Sequence, residues 1–231
     1  MSRTLWARGG KRVFDLVVGV LLVIVLSPVL LAAAVAIKST SRGPLLFKHR
    51  RAGRGGVIFG PYKFRTMTHQ RKSDAVELVP LDHPDITRVG RFLRRTKIDE
   101  LPQVFNAIKG EMALVGPRPD LPDHIADYTP FQRQRLAVRP GLTGLAQVNG
   151  AAAISWDERI RYDVYYIAHC GCWMDLDILL KTVGVILRGE ARHARGFEQS
   201  PYHNPDEPLG WDRHQAEVSK QTQDADAMPG D

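Results

Sequence analysis

The residues best suited to chemistry lie together between positions 91 and 119, in RFLRRTKIDELPQVFNAIKGEMALVGPRP. Asp99 and Glu100 are adjacent acids, with Arg94, Arg95 and Lys97 just upstream and Arg118 downstream. A carboxylate can act as a covalent nucleophile toward phosphorus. Its difficulty is repulsion. Two unit negative charges about 4 Å apart cost roughly 4 kcal/mol at an effective dielectric near 20, so attack on a diphosphate needs several cations or a metal. Lys63, Arg65, Arg94 and Arg118 are the candidate phosphate-binding cations, and the two acids, Asp99 first, can hold Mg2+.

A plainer account of Asp99 is helix capping. Pro102 is tolerated only in a first turn, which places Asp99 near the N-cap of a helix running from Asp99 to Lys109 and closed by Gly110. The helix dipole and the neighbouring cations are expected to lower the Asp99 pKa and to prepare a place for phosphate. Each basic residue taken singly is more often a solvated surface group; the combination carries the phosphate reading.

Something must hold this cluster, and the most conspicuous element is apolar. Leu16 to Ile37 is 22 residues without a charge, interrupted by Ser27-Pro28. As a straight helix it would reach about 33 Å, enough for a bilayer. Proline removes an internal hydrogen bond, and the Ser27 hydroxyl is placed to bond the freed backbone. Basic residues flank both ends: Arg3, Arg8, Lys11 and Arg12 before, Lys38, Arg42, Lys48, Arg50, Arg51 and Arg54 after. Three readings compete. A bitopic helix would put one basic flank outside, against the positive-inside rule. A cleaved signal peptide is offered by Ala34-Val35-Ala36, although the apolar run is long for one and cations follow the cut. A re-entrant helix-break-helix, entering and leaving by the cytoplasmic face, fits both the proline and the symmetric charge.

The charge count sharpens this. The 231 residues carry +7, but residues 1 to 72 hold 14 Lys/Arg against Asp15 alone, giving +13, and the remainder is −6. Such a patch suits an anionic membrane, phosphate-bearing substrates or a polyanion. Composition at globular averages, 44% hydrophobic and 25% charged, excludes collagen-like, fully disordered and multi-span classes. Cys170 and Cys172 are too few for a disulfide framework, and the eight histidines form no H-x-x-x-H pair.

Between these features the chain reads as α+β and mostly helical. LLFKHR and VIFGPYKF around Gly53-Arg54-Gly55-Gly56 read as a β-hairpin. Residues 68 to 87 read as a long loop, and 88 to 95 and 131 to 138 as helical. WDERIRYDVYYI and WMDLDILLKTVGVILRG are amphipathic helices. Trp156, Ile160, Val164 and Ile167 share a face of the first; Leu176, Leu179, Leu180, Val183, Ile186 and Leu187 share one of the second. Such stripes usually mean core, while Trp156, Tyr162, Tyr165, Tyr166 and Trp173 nearby also suit a membrane interface. The expected organisation is a membrane anchor over 1–38, a catalytic domain over 39–197 and a disordered acidic tail over 198–231.

The motifs in order are KRVFD before the apolar segment with Ser27-Pro28, YKFRTM at 62–67, TRVGRFLRRTKIDELPQVFNAIKGEMALVGPRP at 87–119, RPGLTGLAQVNG at 139–150 and ISWDERIRYDVYY at 154–166. This series resembles the bacterial small monotopic phosphoglycosyl transferases, the initiating sugar transferases of glycan assembly, from about Lys11 to Thr182. The resemblance is to the short members, whose chains begin directly at the membrane segment.

It implies a re-entrant anchor in the bacterial inner membrane among its lipids, a cytoplasmic active site, and transfer of a sugar phosphate from a UDP-sugar to undecaprenyl phosphate. Under it Asp99 is the nucleophile that forms a phosphoglycosyl-aspartate and releases UMP. Glu100 is its partner, Mg2+ sits with Asp99 and the diphosphate, and Lys63, Arg94 and Arg118 are the essential cations, with Arg65 a weaker addition. Ala151-Ala152 in place of Arg-Asn, and Asp85 in place of a basic residue, depart from the pattern. Nucleic acid is not an expected partner, and a homodimer is left open. The rival readings are a membrane-tethered polyanion-binding adaptor and a metal-dependent phosphohydrolase.

Overall fold

The computed structural model describes residues 6–68, 82–188, 190–204 and 210. A short π-helical turn, Trp6–Gly10, leads into α1 (Lys11–Thr40), 30 residues long and long and apolar enough to cross a membrane. The two helices expected on either side of Ser27-Pro28 are one helix by hydrogen bonding, with Pro28 inside it. The reason is local. Pro28 has no N–H for the Ile24 carbonyl four residues back, and the Ser27 hydroxyl donates to that oxygen instead, at 2.8 Å.

Both halves of α1 are seated on the same body. Near its start, Asp15 Oδ1 accepts the Leu114 N–H at 3.0 Å, Lys11 pairs with Asp175 at 2.7 Å, and Arg12 donates to the Ala107 and Ile108 carbonyls. Near its end, Ala33 and Ile37 are buried against Phe64 and Leu93. The opposite side, including Val17, Leu21, Ile24, Val25, Leu31 and Val35, is largely exposed.

The hairpin forms as two nested antiparallel pairs. β1 (Leu46–Lys48) pairs with β4 (Tyr62–Phe64), and β2 (Arg51–Ala52) with β3 (Ile58–Phe59). Gly55 and Gly56, at φ 66° and 80°, supply the left-handed backbone of the turn. Of the loop read over 68–87, residues 69–81 lie outside the described residues. α2 (Arg88–Arg95) starts at Thr87, whose hydroxyl accepts the Gly90 N–H at 2.8 Å. Gly90 lies against the backbone of Thr66 so closely that a Cβ would sit 2.0 Å from the Thr66 oxygen.

The helix expected from Asp99 to Lys109 is instead a 3-10 segment, Ile98–Gln103, followed by α3 (Val104–Lys109), which Gly110 closes at φ 89°. The cap position is Lys97, in a left-handed conformation, and Asp99 falls within the first turn rather than at its cap. Pro102 accounts for the tighter winding, since it lacks the N–H an α-helical bond would use.

β5 (Ala113–Val115) then pairs in parallel with β6 (Gly141–Thr143), a pairing that the local pattern does not announce. Between them, α4 (Pro122–Ala126) and α5 (Pro130–Arg133) are short, and 134–137 continues as a 3-10 turn. α6 (Leu145–Val148), α7 (Trp156–His169) and α8 (Cys172–Arg188) complete the helical part.

The main core gathers Val104, Met112, Leu114, Leu145, Tyr162, Tyr166 and Ile178. In α7 the expected apolar face is buried through Ile160 and Val164, which pack with Phe131. Of the two readings open for Tyr162 and Tyr166, core or interface, both residues take the core. Their hydroxyls bond the Arg195 carbonyl and the Val115 carbonyl and Asp175. In α8 the core side is Asp175, Ile178 and Val185, while Leu176, Leu180, Val183, Ile186 and Leu187 point outward beside Trp173, itself 82% exposed. Past Phe197 the chain stays attached: Glu198 meets Arg161 at 3.1 Å and Tyr202 packs on Tyr162 and Tyr165. Apart from Gly210, the rest of the expected tail lies outside the described residues.

Candidate active site

Strand β4 and the 3-10 segment 98–103 pack together and bring Lys63 to the two acids. Its Nζ lies 2.9 Å from Asp99 Oδ2 and 3.3 Å from Glu100 Oε1. Arg118, on the Pro117-Arg118-Pro119 turn after β5, grips Glu100 with both terminal nitrogens, at 2.8 and 3.2 Å. That is the bidentate geometry arginine favours with carboxylates. Arg94, from α2, donates through Nε to Thr66 Oγ1 at 2.9 Å, and its charge acts on Asp99. The structure therefore unites Asp99, Glu100, Lys63, Arg94 and Arg118. Arg65 has a different job: it is buried, and its guanidinium donates to the Ser41 and Arg42 carbonyls and the Ser41 hydroxyl, fastening the end of α1.

The adjacent acids have opposite electrostatics. Asp99 is 1% exposed, and burial raises its pKa despite the opposing pull of Lys63 and Arg94, with Glu100 adding to the rise. This corrects the expectation that dipole and cations would lower it: desolvation of a carboxylate this deep outweighs them. Burial also acts to raise Glu100, but Arg118 and Lys63 overcome it and hold that carboxyl well below the usual carboxylate range. Paired carboxyls driven apart in this way mark different roles. Glu100 is a permanent anion held by two cations. Asp99 is the more basic oxygen, and its Oδ2, though ion-paired with Lys63, accepts no well-aligned hydrogen bond among the described residues.

The turn bearing Arg118 is fixed from behind. Arg135 donates to the Arg118 carbonyl at 3.0 Å, to Asp163 at 2.8 Å and to the Tyr128 hydroxyl at 2.7 Å, and that hydroxyl donates to Asp120 at 2.7 Å. Asp120 in turn gives its carbonyl to the Ala52 N–H of the hairpin. Two residues beside the dyad escape a reading of the sequence, His49 and Arg51. Burial, Arg51 and Lys63 push the His49 pKa down to about 4, so the ring is neutral at pH 7. Arg51, largely enclosed, has its pKa lowered by burial and by Arg118 beside it. Only the strand register, which a single sequence does not display, brings them to the site.

Among the described residues no three His, Cys, Asp or Glu side chains converge as a metal cage. Mg2+ does not require one: it keeps water and binds through one or two carboxylates together with substrate phosphates. Asp99 fits that donor set, whereas Glu100 is taken by Arg118 and Lys63.

Fold and site together define a protein that sets a buried carboxylate among cations, on a body to which a helix long and apolar enough to cross a membrane is fastened. The model of the bacterial sugar transferase family matches residues 6–189, and the chain belongs to that family. It is 42% identical over 180 residues to the uncharacterized sugar transferase EpsL of Bacillus subtilis, covering 78% of this chain and 88% of the relative. It is 43% identical over 185 residues to a UDP-glucose:undecaprenyl-phosphate glucose-1-phosphate transferase of Caulobacter vibrioides, covering 77% and 69%. With an undecaprenyl-phosphate galactose phosphotransferase of Salmonella typhimurium it shares 37% over 198 residues, 79% of this chain but 41% of the relative. The chain thus spans less than half of that longer relative.

Proposed function

We propose that the protein transfers a sugar 1-phosphate from a UDP-sugar to undecaprenyl phosphate by way of a covalent aspartyl intermediate, so initiating a surface glycan. The observation that carries this is the Asp99 carboxylate, buried and comparatively basic, beside Lys63 and next to a Glu100 already neutralised by Arg118. An Asp99 oxygen attacks the β-phosphorus of the donor. The new O–P bond forms as the bond from that phosphorus to the bridging oxygen breaks, and UMP leaves with the bridging oxygen and its electron pair. The sugar phosphate is then esterified to Asp99. A phosphate oxygen of undecaprenyl phosphate attacks the same phosphorus, frees the carboxylate and yields the lipid diphosphate sugar. Lys63, Arg94 and Arg118 offset the negative charge gathered at phosphorus. Asp99 would hold Mg2+, which would supply Lewis-acid stabilisation of that charge.

Three features support a lipid acceptor at a membrane. Both ends of α1 are fastened to one body, which supports a re-entrant anchor entered from the cytoplasmic face. Its outer side and that of α8 are apolar and exposed. An apolar groove of about 660 Å³ lies between α1 and α2, lined by Pro28, Ala32, Ala36, Phe92 and Ile98, the last being the neighbour of Asp99 in sequence. The test is a panel of UDP-sugars with undecaprenyl phosphate and Mg2+. Wild type is expected to release UMP and to form lipid-linked sugar phosphate, and Asp99→Asn to do neither; release of UDP would overturn the proposal.

A further inference from the structure

Phe47 stands directly across from Lys63 in the β1–β4 pair, and directly opposed residues share a face of the sheet. His49, two residues on, continues that face, and its ring lies nearly parallel to that of Phe47, at 15° and 5.7 Å between centroids. The opposite face is the one that packs: Phe64 there is buried, and Lys48 lies over the Tyr62 ring at 4.6 Å. Phe47 is 54% exposed. An open aromatic ring, a half-buried imidazole and the lysine that holds Asp99 therefore line one side of the hairpin.

We infer that Phe47 and His49 form the seat of the donor's nucleobase, the pyrimidine ring lying on Phe47 and its polar edge bonding the His49 imidazole. The inference rests on the donor proposed above. With the diphosphate held between Lys63 and Arg118, the nucleoside leaves the α-phosphate away from Asp99, and the hairpin face beside Lys63 is aromatic and open. Stacking on an aromatic side chain tolerates any base, so discrimination falls to the imidazole. A neutral imidazole nitrogen can accept the N3–H of uracil, where cytosine carries no hydrogen; a protonated ring could only donate. Burial, Arg51 and Lys63 keep His49 neutral at pH 7, and its buried Nδ1 has no hydrogen-bond partner among the described residues.

The experiment measures UMP and CMP binding to full-length protein in detergent by calorimetry, alongside steady-state kinetics with UDP-sugar and undecaprenyl phosphate. Phe47→Ala is expected to weaken UMP binding and to raise KM for the UDP-sugar about 10-fold, within the roughly 5- to 150-fold range of a lost base stack. Its kcat and its KM for undecaprenyl phosphate should stay within about 3-fold, and Phe47→Tyr should restore wild-type affinity. His49→Ala is expected to narrow the preference for UMP over CMP. Equal UMP affinity in wild type and Phe47→Ala would overturn the seat, as would a rise in the lipid KM alone, which would make Phe47 a membrane contact. Because UMP binding is read without turnover, a wild type that binds UMP through Phe47 but releases none from any UDP-sugar would refute the transferase reading and leave the seat standing.

Discussion

Asp99→Asn should inactivate the protein and stabilise it at once. The Asp99 side chain is 2% exposed, and its ionised form is disfavoured by burial more than Lys63 and Arg94 favour it. A folded-state pKa raised above the unfolded value means that the folded protein binds its proton more tightly. Stability therefore falls as pH climbs from the ordinary carboxylate range through the folded pKa, and the cost is fully present above it. Asparagine keeps the shape and removes the charge. Lys63 does not lose its only partner, because Glu100 lies 3.3 Å away. The variant should therefore melt higher at pH 7.5, by roughly 2–4 °C for each 1 kcal/mol of charge burial relieved in a protein of this size. The gap should close as the pH is lowered toward the ordinary aspartate value. Turnover, measured as UMP release, should fall at least about 10⁴-fold, as for loss of a covalent nucleophile. Thermal melts of both proteins from pH 4 to 8 decide it. A variant less stable at pH 7.5, or a gap that does not change with pH, would refute the electrostatic reasoning.

Other consequences can be checked alongside. Arg118→Lys replaces a two-nitrogen grip on Glu100 with a point charge and should lower kcat/KM for the UDP-sugar roughly 10- to 100-fold, measured by UMP release. Gly90→Ala would drive a Cβ into the Thr66 carbonyl and should destabilise the fold by about 1–3 kcal/mol, seen as a lowered melting temperature. Arg135→Ala leaves Asp163 buried without its cation and should cost about 3–5 kcal/mol. Burial raises Asp163 to about 6 against the pull of Arg135, so removing Arg135 should raise it further and make the loss grow between pH 5 and 8. Labelling Arg8→Cys and Arg42→Cys in intact membranes should give both on the cytoplasmic face; opposite faces would refute the re-entrant anchor.

The sequence displayed what is local. The α2 helix, the hairpin, the Ser27 bond to the carbonyl that Pro28 frees, and the run of cations just upstream of Asp99 all follow from residues a few positions apart. What stayed hidden depends on partners distant in the chain. Arg65 looks like a phosphate ligand until Ser41 and Arg42 are seen to hold it. The Asp99 pKa moves up because depth of burial is a property of the packed body, invisible in a list of nearby charges. The parallel β5–β6 pair joins residues nearly thirty positions apart, and Tyr162 and Tyr166 turn inward because backbone and carboxylate partners await them there.

The Asp15 carboxylate takes an N–H of the middle residue of β5, on the strand that leads directly into the turn carrying Arg118. A two-stranded sheet normally leaves such edge groups to solvent or to another strand; here a side chain from the apolar helix closes that edge. The anchor is thus a structural member of the enzyme rather than a tether to it. Cutting the chain after residue 40 would not liberate a soluble catalytic unit, because it would uncap the strand and strip the cover from Phe64 and Leu93. A chimera with a foreign membrane helix would have to carry its own equivalent of Asp15. Anchor and catalyst can therefore be exchanged only as one piece.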